Sequence, residues 1–196
     1  HTDLIYHVSS HVVFVAAEVY DWCYKYLTKT EKDNLIEAVQ NKLLKVLNYG
    51  YPYETLHNAT AFSNQTTFNM IIKDALGFSI AIYDEYPDMF NYLSSVVVEN
   101  FVDGRNYWYK SGKNPSGTSY GIVRHYSDMW LDIMFCKATG VKLLTDDVYK
   151  ANYEYIYLFN PDTVHFRESD DNWYQTGGTN ISDYKDKTMY ADLILS

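Results

Sequence analysis

The sequence predicts an all-α fold of paired antiparallel helices, arranged as a bundle or an α/α toroid. Three observations predict it. Apolar residues recur at helical spacing, about 100° per residue, through most of the 196 residues. No stretch alternates in the two-residue period of a strand. Helix–loop–helix units recur roughly every 40 to 50 residues, a period that helical solenoids and toroids share. No heptad pattern outlasts a few turns, which argues against a coiled coil.

Taken in order, Val12, Val15, Ala16, Val19, Trp22, Cys23 and Tyr26 mark a first helix over residues 10–27 and predict its packing face. Thr28 followed by Glu31 is a capping box that opens a second helix, with Leu35, Ile36, Val39, Leu43 and Leu47 on one face and Gly50 at its end. The short link makes the two a hairpin. Residues 49–60, with Gly50, Pro52 and His57-Asn58, read as a loop. Phe68, Ile71, Ile72, Ala75, Phe78 and Ile82 mark a third helix with few charges, hence one buried on much of its circumference. Tyr86-Pro87 starts a fourth that carries Phe90, Leu93, Val96, Val97 and Phe101, and Asp103-Gly104 is expected to close it. Residues 106–117 then read as a loop. A fifth helix runs from about Thr118 to Ala138 and stops at Gly140, a sixth spans 146–159 up to Pro161, and a seventh begins near Ser182.

Composition narrows the function classes. The chain carries 21 Tyr, 9 Phe and 4 Trp. Such side chains pair a flat apolar face with a polar handle, as a wet groove that stacks on sugar rings requires, although most of the tyrosines must simply line helix boundaries. A net charge of −9 argues against general affinity for nucleic acid or an anionic membrane. No run is long enough for a membrane span. Cys23 and Cys136 stand far apart in apolar helical patterns, which predicts two buried thiols. The six histidines are scattered without ligand spacing, so no metal site and no cofactor is expected. The chain opens on His1-Thr-Asp-Leu-Ile and stops at Ala191-Asp-Leu-Ile-Leu-Ser196 in what reads as mid-helix, which predicts a fragment of something longer.

The chemistry-bearing stretch is Gly117 to His125, GTSYGIVRH. If its helix begins near Thr118, the i,i+4 spacing sets Tyr120 and Arg124 on one face, with Ile122, Tyr126, Met129, Trp130 and Ile133 roughly opposite. A guanidinium beside a phenol favours the phenolate, so such a tyrosine can take a proton and return it. The plainer reading is a surface tyrosine with a solvated arginine.

Five blocks together resemble the heparinase II/III-like polysaccharide lyases. They are AEVYDWCYKYLTKTEKDNLIEAV (Ala17 to Val39), AIYDEYPD (Ala81 to Asp88), VDGRNYWYKSG (Val102 to Gly112), GTSYGIVR (Gly117 to Arg124) and FNPDTVHFRESDD (Phe159 to Asp171). The resemblance implies that residues 1–196 form one helical domain, part of an incomplete (α/α) toroid with a long cleft and no internal boundary. It implies β-elimination on a uronic-acid-containing, acidic polysaccharide, met in the periplasm or outside the cell. It also implies further domains of the same parent protein that complete the site.

In this resemblance Tyr120 matches the catalytic tyrosine and Arg124 its nearby arginine. Asn64 and Gln65 occupy the place of the group that neutralises the uronate carboxylate, with the His57-Asn58 pair as rival. On a helix extended that far back, His57 and Asn64 would share a face about 10 Å apart. Asn58, Arg105, Trp108 and Lys110 are expected to contact substrate, and Arg105, Lys110, Lys113 and Arg124 to form a basic strip. Asn64 equally continues the stripe through Phe68 and Ile71 as a buried amide or cap, and Asn58 and Asn64 each begin a glycosylation sequon. Thr66, Thr67 and Phe68 stand where several of these lyases have a histidine or glutamate, which leaves the substrate class open.

Two other classes remain. Asp170 and Asp171 beside Trp173 fit the carboxylate pair of a glycoside hydrolase on an α/α toroid, though adjacent aspartates more often point apart. A non-catalytic sugar-binding helical module is the third.

Overall fold

The computed structural model describes residues 2–48, 65–112 and 121–157, with side chains over 11–41, 72–99, 101–112 and 125–151. Everything regular among the described residues is helical, and no strand occurs among them. The helices are α1 (Thr2–Trp22), α2 (Lys29–Asn48), α3 (Gln65–Ala81), α4 (Pro87–Val97), α5 (Asp103–Trp108), α6 (Gly121–Thr139) and α7 (Asp146–Tyr157). A π turn, Val98–Val102, joins α4 to α5, and a 3-10 turn, Tyr109–Ser111, follows α5. No described helix is long and apolar enough to cross a membrane. Contacts divide the chain into two compact units, His1–Asp103 with Leu131–Leu143, and Gly104–Trp130 with Leu144–Ser196.

The first unit is organised around α3. Its Phe78 and Ile82 join Val13, Ala16, Ala17 and Tyr20 of α1 and Ile36 and Val39 of α2 in one core cluster. Ala75 and Leu76 pack with Leu93 and Phe135 in a second, and Ile72 with Val97 and Phe101 in a third. One helix that contributes to three clusters has little room for charge, and the one charged pair on it, Lys73 and Asp74, is tied together at 2.5 Å. Its Ser79 hydroxyl, fully buried, donates to the Leu76 carbonyl at 2.7 Å and so avoids an unmet donor. Asp132, equally buried, accepts the Leu143 amide at 2.7 Å.

The α1 packing face differs from the expectation. Val13, Ala16, Ala17 and Tyr20 face the core, whereas Val12, Val15 and Val19 are exposed and Trp22 and Tyr26 are 73% and 86% exposed. The helix carries two apolar stripes. The buried one, which shares Ala16 with the expected face, packs on Phe78 and Ile82 of α3. Cys23 and Cys136 are free thiols, half-buried rather than fully enclosed.

The capping box forms as read. The Thr28 amide donates to Glu31 Oε2 at 2.8 Å and the Glu31 amide to Thr28 Oγ1 at 3.3 Å. The Thr28 hydroxyl, which also donates to Glu31 Oε2 at 2.7 Å, and then the Thr28 amide hold the Glu31 carboxyl below its ordinary value. Beside it, the Tyr24 hydroxyl donates to Glu85 while Lys32 Nζ sits 3.1 Å from the Tyr24 ring centroid, tying α1, α2 and the turn after α3 together.

The fourth helix also departs from the expectation. Asp103-Gly104 does not end it: the chain passes through the π turn with right-handed dihedrals at Val98 and Asp103 and stays helical to Ser111. Residues 106–111, read as loop, are therefore helix. Closure comes at Gly112, whose φ of 70° is left-handed and whose amide donates to the Tyr109 carbonyl at 2.7 Å. A Cβ there would meet Lys150 Cβ only at 3.7 Å, so conformation rather than space requires glycine. We expect Gly112→Ala to lower the unfolding free energy by about 1–2 kcal/mol, read as a lower urea midpoint at unchanged slope.

Gly140 ends α6 as predicted, with φ 76° and its amide bonded to the Cys136 carbonyl at 2.8 Å. The loop at 49–60 and the helix expected near Ser182 lie outside the described residues.

Candidate active site

Of the residues proposed from sequence for catalysis, Tyr120, His57 and Asn64 lie outside the described residues, as do Asn58, Asp170, Asp171 and Trp173. Gln65 is the first residue of α3 and Arg124 stands in the first turn of α6; their side chains lie outside those described. Arg105, Trp108 and Lys110 are described, and together with α6 they show what holds the helix that follows Tyr120.

Within the second unit, α5 and its 3-10 turn present Arg105 and Tyr109, four residues apart and thus on one side of the helical run. Helix α6 presents His125 and Asp128, three residues apart, in the same way. The pairs meet inside the unit. Arg105 Nε lies 3.0 Å from Asp128 Oδ1, and the Tyr109 hydroxyl donates to Asp128 Oδ2 at 2.9 Å, so both carboxylate oxygens are occupied. Arg105 is only 4% exposed and Asp128 7%. Burial pushes the Asp128 carboxyl above its ordinary value, against the opposing pull of Arg105 and Tyr109.

His125 extends the cluster, its ring 5.6 Å from that of Tyr109. Its Nε2 is 2.6 Å from the Val148 carbonyl of α7; a carbonyl only accepts, so Nε2 carries the proton. Burial lowers the His125 pKa from 6.5 to about 4, while the Val148 bond pulls the other way. The ring is therefore neutral at pH 7, a fixed donor rather than a charge. The Asn106 side chain accepts the Thr145 amide at 2.8 Å and fixes the start of α7, whose first turn bears Asp146 and Asp147 as the helix dipole favours.

The buried side chains of α6 are thus mixed, with His125, Ser127, Asp128 and Asp132 alongside Met129 and Phe135. Of the expected apolar stripe Met129 is buried, while Tyr126, Trp130 and Ile133 are only half-buried. The signal was present in the sequence: His125, Asp128 and Asp132 fall at i, i+3 and i+7, the spacing of one helix face.

Three of the expected substrate contacts, Arg105, Trp108 and Lys110, fall among the described side chains. Arg105 is committed to Asp128 inside the unit and supplies no exposed charge to a basic strip. Trp108 is half-buried with the Arg105 guanidinium 5.2 Å from its ring centroid, so one face of the indole is already covered. Lys110 is exposed, its Nζ 5.9 Å from the ring centroid of Tyr107, an aromatic side chain that is itself open to solvent. No family model, no curated protein and no solved structure matches the chain.

Proposed function

We propose that this chain is the helical, incomplete (α/α) toroid portion of a polysaccharide lyase that cleaves a uronate-containing polymer by β-elimination, in the periplasm or outside the cell. The observation that carries the reading is the anchoring of α6. Asp128 and His125 fix the helix from inside within two turns of Arg124, and elimination requires its groups held in place before substrate arrives.

In this reading Asn64, Gln65 or His57 neutralises the uronate carboxylate, which acidifies the C5 proton. Tyr120, held toward the phenolate by Arg124, takes that proton. Electrons of the C5–H bond form the C4–C5 double bond, the C4–O bond breaks, and Tyr120 returns the proton to the departing oxygen. Further domains of the same parent protein complete the cleft.

The test is product chemistry with the full-length parent protein on heparan sulfate, alginate and ulvan. Elimination leaves an unsaturated uronate that absorbs in the near ultraviolet, and absorbance should grow with at least one polymer. Reducing ends without absorbance would replace the proposal with hydrolysis by Asp170 or Asp171. Polymer binding without any cleavage would replace it with a binding module.

A further inference from the structure

Away from the Tyr120 stretch, the first unit holds a groove of about 620 Å³ bounded by α1, α3, the turn after α3, α4 and the end of α6. Its size falls in the range of roughly 300–1,000 Å³ usual for small-ligand sites. Phe14, Trp22 and Tyr83 give it aromatic surface, and Glu18, Asp21 and Asp84 give it carboxylates. Among the described residues no lysine, arginine or histidine lines it; Lys73 Nζ lies 5.4 Å from the Phe14 ring centroid but is paired with Asp74. None of the three carboxylates has an ion-pair partner among the described residues. Such a groove repels a uronate, so it is no extension of the proposed cleft.

Two of the groove's rings, Tyr83 and Phe90, are held by other rings, while Trp22 is open to solvent. Tyr83 sets its edge on Phe90 at 5.3 Å between centroids, and Phe90 stacks on Phe135 at 6.1 Å. Glu18 and Asp21 share one side of α1 at i,i+3, and Asp84 belongs to the turn after α3. Carboxylates from two elements and aromatic surface in one groove match a ligand that carries cations along an apolar stem.

We propose that this groove binds a linear aliphatic polyamine. Its ammonium groups meet Glu18, Asp21 and Asp84, and its methylene segments lie on Trp22 and Tyr83, where the ring faces also attract the cations.

The experiment is calorimetric titration of the full chain with spermidine at low ionic strength, where surface charges are least screened. One-to-one binding is expected, weakened at least about tenfold in both Glu18→Gln and Asp84→Asn. Asp33→Asn makes the same change of charge outside the groove, at a carboxylate paired with Lys29, and should leave binding intact. Circular dichroism checks that the variants stay folded. Absence of spermidine binding, equal weakening by Asp33→Asn, or indifference to Glu18→Gln and Asp84→Asn overturns the proposal. Tighter binding of trilysine would assign the groove to a basic peptide, and displacement of spermidine by neutral cellotriose to a sugar; either also overturns it.

Discussion

Asp128→Asn should lower the unfolding free energy by about 3–5 kcal/mol, the loss typical when one partner of a buried ion pair is removed. Both oxygens of Asp128 are in use, by Arg105 at 3.0 Å and by the Tyr109 hydroxyl at 2.9 Å, in a site where Arg105 is 4% exposed. An amide keeps the shape but not the charge, so a guanidinium that cannot give up its proton stays buried without its counter-ion. Urea unfolding of wild type and variant measures the difference. The double change Arg105→Met with Asp128→Leu should recover a large part of the loss, because two apolar side chains leave no buried charge behind. A single variant as stable as wild type would mean that the pair does not hold α6 to α5.

Stability should also fall as the pH drops from about 6.5 to about 4, through His125. In the fold its pKa is lowered to about 4, against 6.5 ordinarily. Above pH 6.5 both folded and unfolded chains are neutral there, and the full contribution is present. Between 6.5 and 4 the unfolded chain binds a proton that the buried ring refuses, so protonation favours unfolding. Below 4 both states are protonated and the effect levels off. The total is about 3 kcal/mol. His125→Gln keeps an N–H donor for the Val148 carbonyl and removes the titration. Its unfolding free energy should therefore change less with pH across that window than the wild type's, as denaturant melts at several pH values would record.

Local signals in the sequence translated well. Thr28 and Glu31 form the box that their spacing encodes, Gly140 ends α6, and α3 is buried as its scarcity of charge requires. These features depend on residues within one or two turns of each other. The departures all concern tertiary partners. On α1 the expected face, with Val12, Val15, Ala16, Val19 and Trp22, keeps only Ala16 of these in the core, where Val13, Ala17 and Tyr20 join it against Phe78 and Ile82 of α3. Gly104 and Asn106 favoured a loop by propensity, at a helix penalty of about 1 kcal/mol for the glycine. Burial of Arg105 and Tyr109 against Asp128 from the next helix outweighs it. The same partner explains why Arg105 serves structure rather than surface charge. A polar stripe at positions 125, 128 and 132 was legible as a pattern, but its partners lie eleven or more residues away in the chain: Tyr109 and Arg105 for Asp128, the Val148 carbonyl for His125 and the Leu143 amide for Asp132.

The proposed role of Tyr120, moving the proton in an elimination reaction, is tested most directly by comparing Tyr120→Phe with wild type in the full-length parent protein, on whichever uronate polymer gives ultraviolet-absorbing product. Loss of the hydroxyl removes base and acid together, so the rate of absorbance increase should fall by about a hundredfold to ten-thousandfold while polymer binding and the circular dichroism spectrum are kept. A Phe variant that still forms unsaturated product at the wild-type rate would contradict the account.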